Sequence, residues 1–143
     1  MIPPDDSLQG DEAAFEEMAK LVAPEFSKRE IVAAGKALAG SVPWDDDAYR
    51  VFQVAHNWRE AFAYPMHRVR LELRGRISRN GGIGLTAARL RRMQSIRRKL
   101  RKGNLSLYQM QDIGGCRAIL PDISKVNEIV SAYRDGFGRH NLH

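Results

Sequence analysis

The residues best suited to chemistry in this chain are Arg89, Arg91, Ser95 and Lys99, followed by Asp112 and Arg117. A helix is predicted from Met93 to about Arg101, ended by Gly103-Asn104. On it Met93, Ile96 and Leu100 share one side, while Ser95, Lys99 and Lys102 stack on the other at four- and three-residue steps. Arg89 and Arg91 enter from the preceding segment. Cations converging on one line can neutralise a triphosphate carrying about four negative charges, through charge-assisted hydrogen bonds. The serine adds a hydroxyl donor. Asp112 stands at the mouth of an apolar strand, where a carboxylate beside bound phosphates is suited to Mg²⁺, a cation that takes oxygen ligands and keeps some of its waters. Plainer readings are a solvated or RNA-facing basic helix and an aspartate that caps a turn. Arg117 lies in the apolar run Cys116–Leu120 and, if buried, needs an anionic partner such as phosphate or a carboxylate.

The elements that must position these groups follow from periodicity and capping signals. Residues 1–10 are rich in Pro and Asp and are expected to fray. A first helix is predicted over Asp11–Val22. Ser27-Lys-Arg-Glu30 is a capping box ahead of Ile31, Val32 and Leu38, with Gly40 as the stop. Pro43-Trp44 breaks the chain, and Asp45 to Asp47 suit the positive end of a helix running to about Tyr64. Pro65 suits the start of the next helix, which carries Met66, Val69, Leu73 and Ile77. Asn80-Gly-Gly-Ile-Gly84 reads as a linker, since no Lys-Ser/Thr follows it to make a phosphate loop. Leu85–Leu90 is a short strand or the lead-in to a helix. Ile113–Leu120 reads as a strand closed by Pro121, with Gly114-Gly115 marking a bulge or the close approach of another backbone. A helix from about Ser124 to Arg134 ends the pattern. Helices followed by strand–helix–strand–helix indicate an α+β fold: an N-terminal helical part and the first half of a mixed sheet.

At 143 residues the chain has the length for a real core. Its net charge of +6 is uneven, because residues 68–102 hold thirteen Lys/Arg against the single acid Glu72, while acids such as Glu12, Glu16, Glu17 and Asp45-Asp46-Asp47 crowd residues 1–47. So basic a stretch suits polyanions: nucleotides, RNA or an acidic lipid surface. No apolar run of about 18 residues is present, so no membrane span is expected. The N-terminus has no basic or apolar signal region, and Cys116 stands alone, which together suggest a cytoplasmic, disulfide-free protein.

The motifs as a set resemble the synthetase domain of the RelA/SpoT family, in particular its small alarmone synthetases and their toxin-like relatives. That family runs Arg-x-Lys, a Ser four residues after the Lys, a Lys four further on, then Asp-Ile-x-Gly-x-Arg. Here Arg89, Arg91, Ser95 and Lys99 match the first part, and Asp112, Gly115 and Arg117 the second, with Arg91 replacing Lys. Asn57-Trp58-Arg59 to Tyr64-Pro65 and Met110-Gln111 add to the likeness, which spans about residues 48–135. The resemblance implies a nucleotidyltransferase-like domain over 44–143 behind an acidic helical segment over 1–43. It also implies ATP phosphates held by Arg89, Arg91, Ser95 and Lys99 with Arg117 nearby, Mg²⁺ at Asp112, and pyrophosphate transfer from ATP to the ribose 3′-hydroxyl of GDP or GTP in guanosine tetraphosphate metabolism.

The family's guanine-stacking Tyr segment and its later Glu, second metal ligand and base, have no counterpart in the sequence. The polypeptide by itself is therefore expected to be inactive as a transferase, a fragment or a protein whose missing half comes from elsewhere. Transfer to the 3′ end of tRNA, as in toxin-like relatives, is the alternative acceptor chemistry. A basic RNA-binding helical module is the alternative class, and a structural domain that pairs with an intact synthetase or with its own copies is a third. His56, His67, His140 and His143 lack metal-ligand spacing, and Trp44, Trp58 and Tyr108 read as packing residues.

Overall fold

The computed structural model describes residues 22–42 and 45–137. The helix expected over Asp11–Val22 (Val22 apart), the Pro43-Trp44 break, His140 and His143 lie outside the described residues. The elements are α1 (Lys28–Ala39), α2 (Asp46–Ala61), α3 (Ala63–Arg79), β1 (Leu85–Leu90), α4 (Met93–Lys102), a 3₁₀ turn (Leu107–Gln109), β2 (Gly114–Ile119) and α5 (Ile123–Phe137). This is an α+β arrangement.

Local chemistry sets most boundaries. The Ser27 hydroxyl accepts from Glu30 N at 3.3 Å while Ser27 N donates to Glu30 Oε2 at 2.8 Å, so α1 begins in a reciprocal capping box. Gly40 closes it by donating to Ala37 O at 3.1 Å. Asp45 caps α2 through its side chain, which accepts from Ala48 N at 2.9 Å, and Asp46 and Asp47 fill the first turn. The chain breaks at Phe62, ahead of the expected Tyr64, and α3 restarts at Ala63. Pro65 therefore falls inside the first turn of α3, where a missing N–H costs no intrahelical bond.

Leu85–Leu90 resolves as a strand. β1 and β2 form a two-stranded antiparallel ladder. Both strands alternate between exposed and half-buried positions, as strands with one covered face do. Gly114 packs against a side chain: a Cβ there would lie 3.4 Å from Met66 Sδ, while the same atom at Gly115 would meet open space. The close approach expected at this pair thus comes from a methionine side chain and not from another backbone.

Contacts divide the described residues into two compact units, one made of those up to His67 with 89–115 and the other of 68–88 with those from Cys116 onward. This grouping does not follow a boundary at 43/44, since α1 belongs with α4. In the first unit Ile31, Ala34 and Leu38 of α1, Val54 and Ala55 of α2 and Ile96 and Leu100 of α4 pack together with Leu107, Met110 and Ile113. Gly35 is required in that core because a Cβ on it would stand 2.6 Å from Leu107 Cβ. In the second unit Ile77 and Ile129 are the buried large apolar residues among those described. Arg76 ties that unit together: Nη1 donates to Ala132 O at 2.8 Å, Nη2 pairs with Glu72 Oε1 at 3.0 Å, and the guanidinium lies 4.1 Å from the Tyr133 ring centroid.

Candidate functional site

The site is built where β1 runs into α4. Met93, Ile96 and Leu100 turn inward, with Ile96 fully buried and Met93 packed against the core, which leaves Ser95 and Lys99 outward, one turn apart. Helix α4 is fixed by two of its own arginines. Arg97 Nε donates to Leu38 O and Arg101 Nε to Ala39 O, each at 3.3 Å, satisfying carbonyls at the C-terminal end of α1. Two cations of the basic stretch are therefore structural.

Arg91 is held by its backbone. Its N–H donates to Ile113 O at 2.6 Å, and its carbonyl accepts from Arg59 Nε at 2.7 Å. Its guanidinium then reaches Asp112 twice, Nη2 to Oδ2 at 2.5 Å and Nε to the backbone oxygen at 3.3 Å. The two bonds leave from two nitrogens of the planar fork, Nε and Nη2, a directional geometry that the point charge of a lysine does not reproduce. Lys99 Nζ meets the same Oδ2 at 2.6 Å. Two cations thus converge on one oxygen, close enough together for a single phosphate group to bridge them. The Lys99 hydrogen bond, with the charges of Arg91 and Lys99 behind it, holds the Asp112 carboxyl below the usual aspartate range. All three side chains keep contact with solvent, at 32% exposure for Arg91, 40% for Lys99 and 43% for Asp112.

No family model and no curated protein matches this chain. The geometry alone therefore sorts the expected site residues. Arg91, Lys99 and Asp112 are brought together. Ser95 is half-buried one turn before Lys99, and its N–H donates to Arg92 O at 2.9 Å. Arg89 is exposed near the end of β1, two residues before Arg91 along an extended backbone, a spacing that directs both to one face. Arg117 belongs to the second unit and is exposed on β2, so it does not need the buried anionic partner that its apolar surroundings suggested.

Two contributors escaped the sequence. Arg59 anchors the Arg91 carbonyl, and only its place in the Asn57-Trp58-Arg59 segment marked it. The start of α4 is the second: the residue before it is Arg92, which makes no side-chain cap. An uncapped first turn leaves N–H groups and the positive helix end available to an anion. The sequence signal is the lack of Ser, Thr, Asp or Asn immediately before Met93.

Of the remaining described candidates, Trp58, Tyr108 and His67 pack against neighbours, while His56 is exposed. Trp58 stacks on Tyr108 with centroids 5.3 Å apart, meets Phe62 edge-on at 5.2 Å and donates through Nε1 to Leu107 O at 3.3 Å. His67 is buried in the first unit, and His56 lies beside Phe52. Among the described residues no group of three or more His, Cys, Asp or Glu side chains could hold a metal ion, and no helix is long and apolar enough to cross a membrane.

Proposed function

We propose that the first unit binds the polyphosphate of a nucleotide, ATP in the first instance, as the donor half of a pyrophosphoryl transfer to the ribose 3′-hydroxyl of a guanine nucleotide. The observation that carries this reading is the shared Asp112 oxygen, since Arg91 and Lys99 already converge on one anionic oxygen, as they would on a phosphate oxygen. Ser95 would add a hydroxyl donor, the α4 N-terminus its N–H groups, and Arg89 a further cation on the approach. The second acid and the acceptor pocket implied by the RelA/SpoT resemblance have no counterpart here, so binding without turnover is expected of this chain.

The donor set fits Mg²⁺ in one form. A single carboxylate cannot make an all-protein cage, but Mg²⁺ is commonly held through one or two carboxylates together with substrate phosphates and waters. Asp112 would face such an ion only when it arrives on the polyphosphate, where it would neutralise phosphate charge. In-line attack needs the phosphates fixed, and fixing them is the part these residues can perform.

Calorimetry with ATP and Mg²⁺ tests the reading. Saturable 1:1 binding is expected, abolished by Lys99→Ala and weakened by Ser95→Ala. No heat above dilution would refute it. Incubation with ATP and GDP or GTP should yield no 3′-pyrophosphorylated product unless a second chain supplies the acceptor side.

Exposed Arg92, Arg98 and Lys102, which join no ion pair in the site, favour a second reading, contact with RNA phosphates, with tRNA as the related acceptor. Its mark is a binding constant whose logarithm falls with the logarithm of salt with a slope of about 0.7–0.9 for each phosphate contacted.

A further inference from the structure

The site holds an anion of its own. Asp112 Oδ2 accepts from Arg91 Nη2 and Lys99 Nζ, the two nitrogens an incoming phosphate would use. We propose that Asp112 is a selectivity residue, excluding metal-free anions from the gap between Arg91 and Lys99 and admitting a polyphosphate that brings a divalent cation with it. This rests on the polyphosphate reading above.

An anion entering that gap must displace the carboxylate, and it then sits beside a like charge. A bare phosphate or polyphosphate meets that repulsion in full. A polyphosphate carrying Mg²⁺ does not, because a hard divalent cation takes oxygen ligands from carboxylate and phosphate together. The displaced group becomes a ligand, and the like-charge contact becomes an attraction.

Three features keep the exchange inexpensive. The pairs are partly exposed, so solvent screens them and breaking them costs little folding stability. Lys99 carries its charge on a flexible stem that can follow a phosphate. The Arg91 main chain is held at both its N–H and its carbonyl by Ile113 and Arg59, neither of which depends on the Asp112 side chain. The carboxylate can therefore leave without dismantling the cradle. A salt bridge with a structural role alone would give none of this, and it would leave the effect of Mg²⁺ on binding unchanged when removed.

The test is calorimetric titration of inorganic tripolyphosphate into the wild-type chain and Asp112→Asn, once in Mg²⁺ and once in chelator. Mg²⁺ should tighten binding to the wild type by about 5–150-fold, the ordinary range for two coupled ligands. Asp112→Asn should bind metal-free tripolyphosphate more tightly than the wild type, and Mg²⁺ should now weaken its binding by neutralising the ligand. Asp112→Ser should reproduce that reversal, and Asp112→Glu should restore the wild-type sign. Far-UV circular dichroism confirms that each variant is folded. Equal responses to Mg²⁺ in the wild type and both charge-removing variants overturn the inference while leaving the polyphosphate site standing. Failure of the wild type to bind tripolyphosphate or ATP, with or without Mg²⁺, overturns both.

Discussion

The two units use their apolar residues differently. The first buries Ile31, Leu38, Ile96, Leu107, Met110 and Ile113 almost completely around α1, α2 and α4. In the second, Ile77 and Ile129 are covered, while Ile83, Leu85, Ile119, Ile123, Val126 and Val130 stay exposed. Close packing holds side chains in single rotamers and passes small displacements onward. A site that must hold two cations on one oxygen therefore belongs on the first unit, which is where Arg91, Lys99 and Asp112 lie. The contrast teaches that geometric demand, more than charge density, decides where such a cradle can form. Basic residues are plentiful in both units.

The contrast can be broken most severely at Ile96. Ile96→Ala empties a fully buried position and should destabilise the first unit by about 2–5 kcal/mol, with loss of ATP binding. Val126→Ala, at a position 43% exposed, should stay within about 0.5 kcal/mol of wild type. Chemical denaturation of both variants measures the difference, and equal costs would abolish the distinction between the units. Next comes Gly35→Ala, which places a methyl against Leu107 and should cost about 1–3 kcal/mol by overpacking. The same denaturation assay reads it, and a neutral outcome would show that α1 and the 3₁₀ turn can separate freely.

Smaller effects sharpen the comparison inside the first unit. Arg59→Ala removes the donor to the Arg91 carbonyl and should cost about 1 kcal/mol of stability, with ATP affinity falling while salt dependence is retained. An unchanged affinity would mean that Arg91 is held well enough by Ile113 alone. The smallest effect is on acidification. The Asp112 carboxyl is depressed in the folded chain, so its contribution is complete above the unfolded value of about 3.9 and is lost as pH falls through the lower folded value. NMR titration of the side-chain carboxyl should give a midpoint below that reference, moving upward in Lys99→Ala. A midpoint that ignores the lysine would contradict the pairing.

Much of this was legible because it is local. The Ser27–Glu30 capping box, the acidic start of α2 at Asp45 to Asp47, the Gly103 stop and the inward stripe of Met93, Ile96 and Leu100 each depend on residues within a few positions of one another. Asp112 and the cations at 91 and 99 could be proposed as partners from their types and order, and the structure places them in contact. What remained hidden depends on segments distant in sequence. Nothing near Arg97 or Arg101 reveals that these two complete the end of α1, while Lys99 between them faces the site. The need for glycine at 35 comes from Leu107, and the anchoring of Arg91 comes from Arg59. A count of basic residues treats all of these cations as equals, and only the packing separates those that hold the helix from those that pair with Asp112.

The bonds from Arg97 and Arg101 to the last carbonyls of α1 carry one more implication. They fix the rotation of α4 about its own axis as well as its position. One residue of slip along a helix swings a side chain by about 100°. An inserted residue at Leu38–Gly40, remote in sequence from every group that meets the anion, would thus be transmitted as a twist that aims Lys99 elsewhere. The end of α1 works as a jig for the Arg91–Asp112–Lys99 cluster, and its length bears on where Lys99 points as much as the sequence of α4 does.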